Sequence, residues 1–200
     1  MQSDRGPPDG GSADFRLKSS RVTLQMVQSF DQREAARSLI VEYLHWVADI
    51  ARSNYGLSFD IEAMVQSDID DSSKFYPPTG RCYLVELAGN YVGVGCLKRL
   101  EIGAGEVQRM YVQPHLRGVG AGRALVEQLL HDARLLGYLK VRLESLKALG
   151  AAHGLYRAVG FVDVDPYAGN SMKSYQAPEA LDAYRESAIF MEIDLQDNQR

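Results

Sequence analysis

The chain reads as a mixed α/β fold, a central sheet layered with helices. Three observations predict it. Strand-like and helix-like patterns alternate along the chain instead of segregating into separate regions. The stretch from Val119 to Leu136 is amphipathic, with Leu125, Val126, Leu129, Leu130, Ala133 and Leu136 on one face, as a helix laid on a sheet requires. Just before it, a strand pattern runs through a glycine-rich turn straight into that helix. Two hundred residues suit one domain, since a chain of this size buries roughly 70% of its unfolded surface. That domain is expected over 21–200, after a polar, Pro- and Gly-rich leader at 1–20 that reads as disordered.

Each element has its own reason. Val22–Gln28 is β-prone. Ser29 and Gln32 have capping-box spacing, and apolar residues from Ala36 to Ala51 then recur at helical spacing up to Gly56, a C-terminal stop. A shorter helix spans Asp60–Ile69. The three aspartates of "DIDDSS" lack calcium-loop spacing and read as a solvated acidic end. Pro77-Pro78-Thr79-Gly80 breaks the chain. Arg81–Leu87 and Tyr91–Lys98 flank Ala88-Gly89-Asn90 as a hairpin. Gly103–Gly105 turns into a third strand, Glu106–Val112. After the helix, Leu139–Ser145 alternates as a strand, Ala148–Ala158 is a short helix ended by Gly160, and Phe161–Val164 is a strand. Pro166–Ser187 is polar and tyrosine-rich, with a helical turn around Pro178–Tyr184, and Ala188–Leu195 closes the fold as a strand.

Charge and composition narrow the function. With 22 basic and 26 acidic residues the net charge is −4, which argues against nucleic acid as the main partner. The chain has no apolar run of the length a membrane span needs. Its N-terminus lacks the hydrophobic core of a secretory signal, so a cytoplasmic location is expected. Cys82 and Cys96 would face each other across the hairpin as buried thiols, without zinc-type spacing.

The glycines at 118, 120 and 122 mark an anion site. The first turn of a helix leaves N–H groups without intrahelical partners, and the helix dipole favours negative charge there. Glycines keep Cβ atoms out of the way of phosphate oxygens, and Arg117 and Arg123 flank the turn. No G-x-x-x-x-G-K-[ST] run exists. A dinucleotide turn needs a third glycine that neither Gly118-x-Gly120 nor Gly120-x-Gly122 provides, although Glu144, 22 residues after Gly122, imitates its acidic partner.

Arg117-Gly118-Val119-Gly120-Ala121-Gly122 matches R/Q-x-x-G-x-G/A, and in this it resembles the pyrophosphate loop of the GNAT (Gcn5-related N-acetyltransferase) superfamily. The lead-in "EVQRMYVQPHL", the downstream "GLYRAVGF" and the hairpin "PPTGRCYLVELAGNYVGVGCLKRL" are similar to their counterparts there, so the resemblance covers about 21–195. It implies a mostly antiparallel sheet splayed at its fourth and fifth strands, and acetyl-CoA as cosubstrate without a metal. The backbone of Met110, Tyr111 and Val112 would face pantetheine, and the N–H groups of Gly118, Val119, Gly120, Ala121, Gly122 and Arg123 would hold the pyrophosphate beside Arg117. The Met110 N–H would be the oxyanion donor. Tyr156 would protonate the leaving thiolate, its other reading being a packing tyrosine. Glu106 would be the base, its other reading being an ion-paired strand carboxylate. Leu149 stands where many members carry an asparagine.

Of the histidines, His45 and His131 read as solvated, His115 as an exposed loop residue, and His153 as a candidate for the coenzyme edge. Trp46 is core or pocket wall. The long connection at 166–187, with Tyr167, Asn170, Tyr175 and Tyr184, reads as a cover for the acceptor pocket. The expected activity is transfer of acetyl from acetyl-CoA to a primary amine of a small molecule. Protein or peptide N-acetylation and a non-catalytic CoA-binding module are the alternatives, and a homodimer is left open by the resemblance.

Overall fold

The computed structural model describes residues 21–167 and 180–196, without the side chains of 69, 70 and 72. The leader at 1–20 and, within the long connection, Asn170 and Tyr175 lie outside the described residues. Seven strands form one sheet in the order β1-β2-β3-β4-β5-β7-β6: β1 (Thr23–Met26), β2 (Arg81–Leu87), β3 (Asn90–Glu101), β4 (Ala104–Val112), β5 (Lys140–Leu146), β6 (Val162–Val164) and β7 (Ala188–Asp194). Every neighbouring pair is antiparallel except β4–β5. The helices are α1 (Phe30–Tyr55), α2 (Ile61–Asp70), α3 (Ala121–Leu135), α4 (Gly150–Ala158) and α5 (Leu181–Ser187).

Local chemistry sets the element ends. Ser29 and Gln32 form the capping box of α1, and Gly56, at φ 67°, closes it. The β2–β3 loop is Ala88-Gly89 with both φ positive, at 51° and 80°, the handedness that suits a two-residue hairpin. The next hairpin turns at Ile102-Gly103, so β4 starts at Ala104, two residues before the strand pattern predicts. Within the 166–187 connection, α5 is a helix of seven residues, more than the single turn expected.

The two faces of the sheet are covered separately. On one, Leu125, Val126 and Leu129 of α3 and Tyr156 of α4 pack on Val85, Leu97, Val107 and Val112. On the other, Leu39, Ile40 and Leu44 of α1 and Met64 of α2 pack on Leu84, Val94, Cys96 and Tyr111. Cys82 and Cys96 are paired in register on that second face, buried and unbridged, with sulfurs 3.5 Å apart.

The feature that makes a site is the divergence of β4 from β5. Their register runs only over Ala104–Glu106 against Lys140–Arg142. Beyond it β5 continues against β7 up to Leu146, and β4 continues against β3 up to Val112. The splay expected between the fourth and fifth strands is therefore present. A bulge accompanies it. Cys96 pairs with Gln108 and Val94 with Tyr111, leaving Arg109 and Met110 outside the paired register, with Arg109 at φ 54°.

Candidate active site

A cavity of about 570 Å³ opens where β4 and β5 part, within the usual range for small-molecule sites. Its walls divide by chemistry. One end is the turn into α3, from Arg117 to Arg123, facing Ala148–Ala152 and Leu155 of the α4 region. The other is apolar and aromatic, with Tyr43, Trp46, Phe59, Met64 and Tyr184. Between them lie Glu106–Val112 on β4, Leu143–Leu146 on β5, and Tyr156.

The glycine turn has the properties an anion needs. Gly118 and Gly120 have φ of 86° and 87°, and a Cβ at either would meet open space, so their backbone conformation is what calls for glycine. Gly122 differs: a Cβ there would sit 3.2 Å from Leu155 Cδ2, so its small size serves the approach of α4 to α3. No side chain caps α3, and its first turn holds no acidic residue. The first-turn N–H groups are thus left without a side-chain acceptor. The two arginines are engaged elsewhere. Arg123 pairs with Glu127 at 2.8 Å. Arg117 donates from Nε to the Val112 carbonyl at 2.9 Å and lies 4.5 Å above the Trp46 ring. Val119 and Ala121 complete the turn, and Ala121 packs into the core.

Glu106 is 1% exposed. Lys98 Nζ lies 3.0 Å and Gln108 Nε2 2.8 Å from its Oε2, while the Tyr167 hydroxyl donates to Oε1 at 2.9 Å. It lines the cavity and is also the ion-paired strand carboxylate that the sequence offers as its second reading. Tyr156 is buried, with its ring edge-on to Phe161 at 5.8 Å. Burial, and less so Tyr43, push its hydroxyl well above the ordinary phenol range, so it is held protonated.

Two groups to which the sequence reading gives no role here belong to this site. Arg109, turned by the bulge, is 6% exposed and makes a two-point ion pair with Asp68 of α2, at 2.9 and 3.2 Å; Lys74 also reaches Asp68, at 2.9 Å. Asp68 is therefore the counter-charge of Arg109 and Lys74 and not part of a solvated acidic end. The second group is Glu144, which lines the cavity with both carboxyl oxygens shielded from solvent and without a hydrogen-bond partner among the described residues. Burial first, and then the charge of Glu106, push its carboxyl up to about 8, with Lys98 opposing. The only sequence signal was its position near the end of a strand; its isolation is a property of the splay.

The remaining candidates sort plainly. Trp46 is a cavity wall. His45, His115 and His131 are exposed. His153 is buried against Ser145, its Nε2 3.1 Å from the hydroxyl, and does not line the cavity. Leu149 lines it with an apolar side chain. Among the described residues no group of three or more His, Cys, Asp or Glu could hold a metal ion, and no helix is long and apolar enough to cross a membrane.

Comparison with known proteins fits this geometry. Residues 42–161 match the acetyltransferase (GNAT) family. An IAA acetyltransferase of Azospirillum brasilense is 33% identical over 138 residues, covering 68% of this chain and 82% of that protein. An N-acetylaspartate synthetase of Danio rerio is 35% identical over 104 residues, 50% of this chain and 37% of that one. The crystal structure of a PaiA N-acetyltransferase of Thermoplasma acidophilum in complex with coenzyme A shares the fold, with a TM-score of 0.60 at 15% identity, covering 87% of this chain and 99% of the other.

Proposed function

The chain belongs to the GNAT acetyltransferase family, and we propose that it acetylates the primary amine of a small molecule by direct attack of that amine on acetyl-CoA. Acetyl-CoA-dependent N-acetyltransfer is the activity of the family; the acceptor class and the residue roles are our reading. The observation that carries it is the acceptor end of the cavity. Tyr43, Trp46, Phe59 and Met64 wall it from α1, α2 and the segment between them, and Tyr184 from α5. Tyr167 reaches over to Glu106. Aromatic and apolar side chains thus wall the space that an acceptor would occupy, which suits a small molecule better than a peptide. Relatives named for small molecules, IAA and N-acetylaspartate, support it.

The chain's own groups would act as follows. The uncapped first turn of α3, entered through Gly118 and Gly120, would take the pyrophosphate, with N–H donors and helix dipole acting together. The Met110 N–H, at the bulge beside the gap, would donate to the carbonyl oxygen as it gains charge. Tyr156, held protonated by burial, would give its proton to the departing sulfur. Glu106, fixed by Lys98, Gln108 and Tyr167, would supply negative charge at the acceptor end.

Thiol release from acetyl-CoA across a panel of small amines and peptides tests this. Turnover with small amines is expected, and stimulation by peptides alone would overturn the acceptor class. Tyr156→Phe is expected to lower kcat by about 10²-fold or more, with little change in the Kd of acetyl-CoA. A kcat within twofold of the parent would remove Tyr156 from the mechanism.

A further inference from the structure

Two carboxyl groups share the floor of the cavity, and only one is occupied. In the parallel register Glu106 pairs with Arg142, so Glu144, two residues on, projects from the same face of the sheet just beyond the point where the strands part. Glu106 has both oxygens engaged, by a lysine, an amide and a phenol. Glu144 has neither oxygen engaged by a described residue. A buried carboxyl without partners is costly to keep, and its place on the cavity wall suggests that its partner is the molecule that enters.

We propose that Glu144 is the catalytic base: its carboxylate meets the ammonium of the acceptor at the β4–β5 gap and takes the proton that must leave before nitrogen attacks. This rests on the amine-acetyltransfer reading above. The atoms balance without a further reagent. The acceptor enters as R–NH₃⁺ and loses one proton to Glu144. Its nitrogen bonds to the acetyl carbon, the carbon–sulfur bond breaks, and the electron pair leaves on sulfur, which takes the Tyr156 proton. The second nitrogen proton restores Tyr156, and Glu144 releases its own to solvent. The ionisable groups facing it are Glu106 on β4, Lys98 on β3, Tyr43 on α1 and Tyr167 beyond β6, with Arg142 on its own strand. Burial first, then the charge of Glu106, with Lys98 opposing, hold the carboxyl near 8. A base poised there is better matched to an amine than an ordinary carboxylate. The charge on Glu106 adds to the effect of burial, so the two carboxyls have separable roles.

The test compares the full-length protein with Glu144→Gln, Glu144→Asp and Glu106→Gln. Carbon-13 NMR of labelled glutamate side chains, without acceptor, should show a carboxyl titrating near 8 that disappears in Glu144→Gln and moves to lower pH in Glu106→Gln. With an amine that the parent acetylates, kcat/KM should rise through that same pH. This limb should stay in place across acceptors of different basicity. Glu144→Gln should lose the limb and about 10²-fold or more in kcat, Glu144→Asp should recover part of both, and acetyl-CoA should bind all variants alike in calorimetry. A limb that survives in Glu144→Gln, or vanishes in Glu106→Gln alone, would overturn the assignment. If the parent acetylates no small amine, the acceptor reading fails by itself, and the NMR titration still decides Glu144: absence of a carboxyl titrating near 8 rejects it.

Discussion

At the scale of single residues, Glu144 couples the site to stability, and the sign can be worked out. Its carboxyl is raised from 4.5 to about 8 by folding, so between those values the folded chain binds a proton that the unfolded chain does not. Stability attributable to this group is therefore highest below about pH 4.5 and falls as pH rises through 8, where the full cost of a buried charge is reached. Glu144→Gln removes that slope. Denaturant titrations from pH 5 to 9 should show the variant gaining on the parent as pH rises, by roughly 3–5 kcal/mol in all, and levelling off above pH 8. The neutral amide that this substitution introduces adds a constant offset and leaves the slope untouched. A stability difference independent of pH would mean that Glu144 is ionised in the fold at neutral pH. Asp68 differs in having two cationic partners, Arg109 and Lys74, within ion-pair distance of its carboxylate.

At the scale of elements, the turn into α3 and the bulge in β4 do different work, and they were unequally legible. Three alternating glycines after a strand announce the turn in the sequence itself, because glycine is the residue that tolerates φ near 87° without strain. Gly120→Ala places a side chain in open space but forces that backbone angle. It should cost about 1–2 kcal/mol in urea unfolding, and raise KM for acetyl-CoA several-fold with kcat little changed, the pattern of lost uniform binding. An unchanged KM would separate the turn from the coenzyme. The bulge carries no such mark. No glycine or proline stands at Arg109–Met110, and Glu106–Val112 reads as one strand. Arg109, at φ 54°, makes its ion pair to Asp68, 41 residues earlier, a tertiary contact invisible to local pattern. Glu106 was legible as a candidate through the family resemblance, yet its three partners come from β3, β4 and the segment after β6.

At the scale of the whole molecule, the sheet is two ladders joined at one short seam. β1 to β4 form one antiparallel unit, and β5, β7 and β6 another; between them the β4–β5 register holds three residue pairs. Alternation of strand and helix patterns predicted the mixed sheet correctly, but nothing in a strand's own residues says where its pairing with a neighbour stops; that was available from family resemblance alone. The architecture has a thermodynamic consequence. The cavity takes its walls from both ladders, Glu106–Val112 on one side and Leu143–Leu146 on the other, so a ligand in the gap ties them together beyond their covalent and short backbone link. Acetyl-CoA at a hundred times its Kd should stabilise the fold by about 2.7 kcal/mol. For a chain of this size that is a rise in melting temperature of roughly 5–10 °C. Hydrogen exchange should slow on both banks of the gap at once, in 107–112 and in 143–146, since the stabilisation comes from bridging. Protection confined to the α3 turn would show that only the pyrophosphate end is held. Stabilisation by NAD and none by acetyl-CoA would mean that the glycine turn serves a dinucleotide after all.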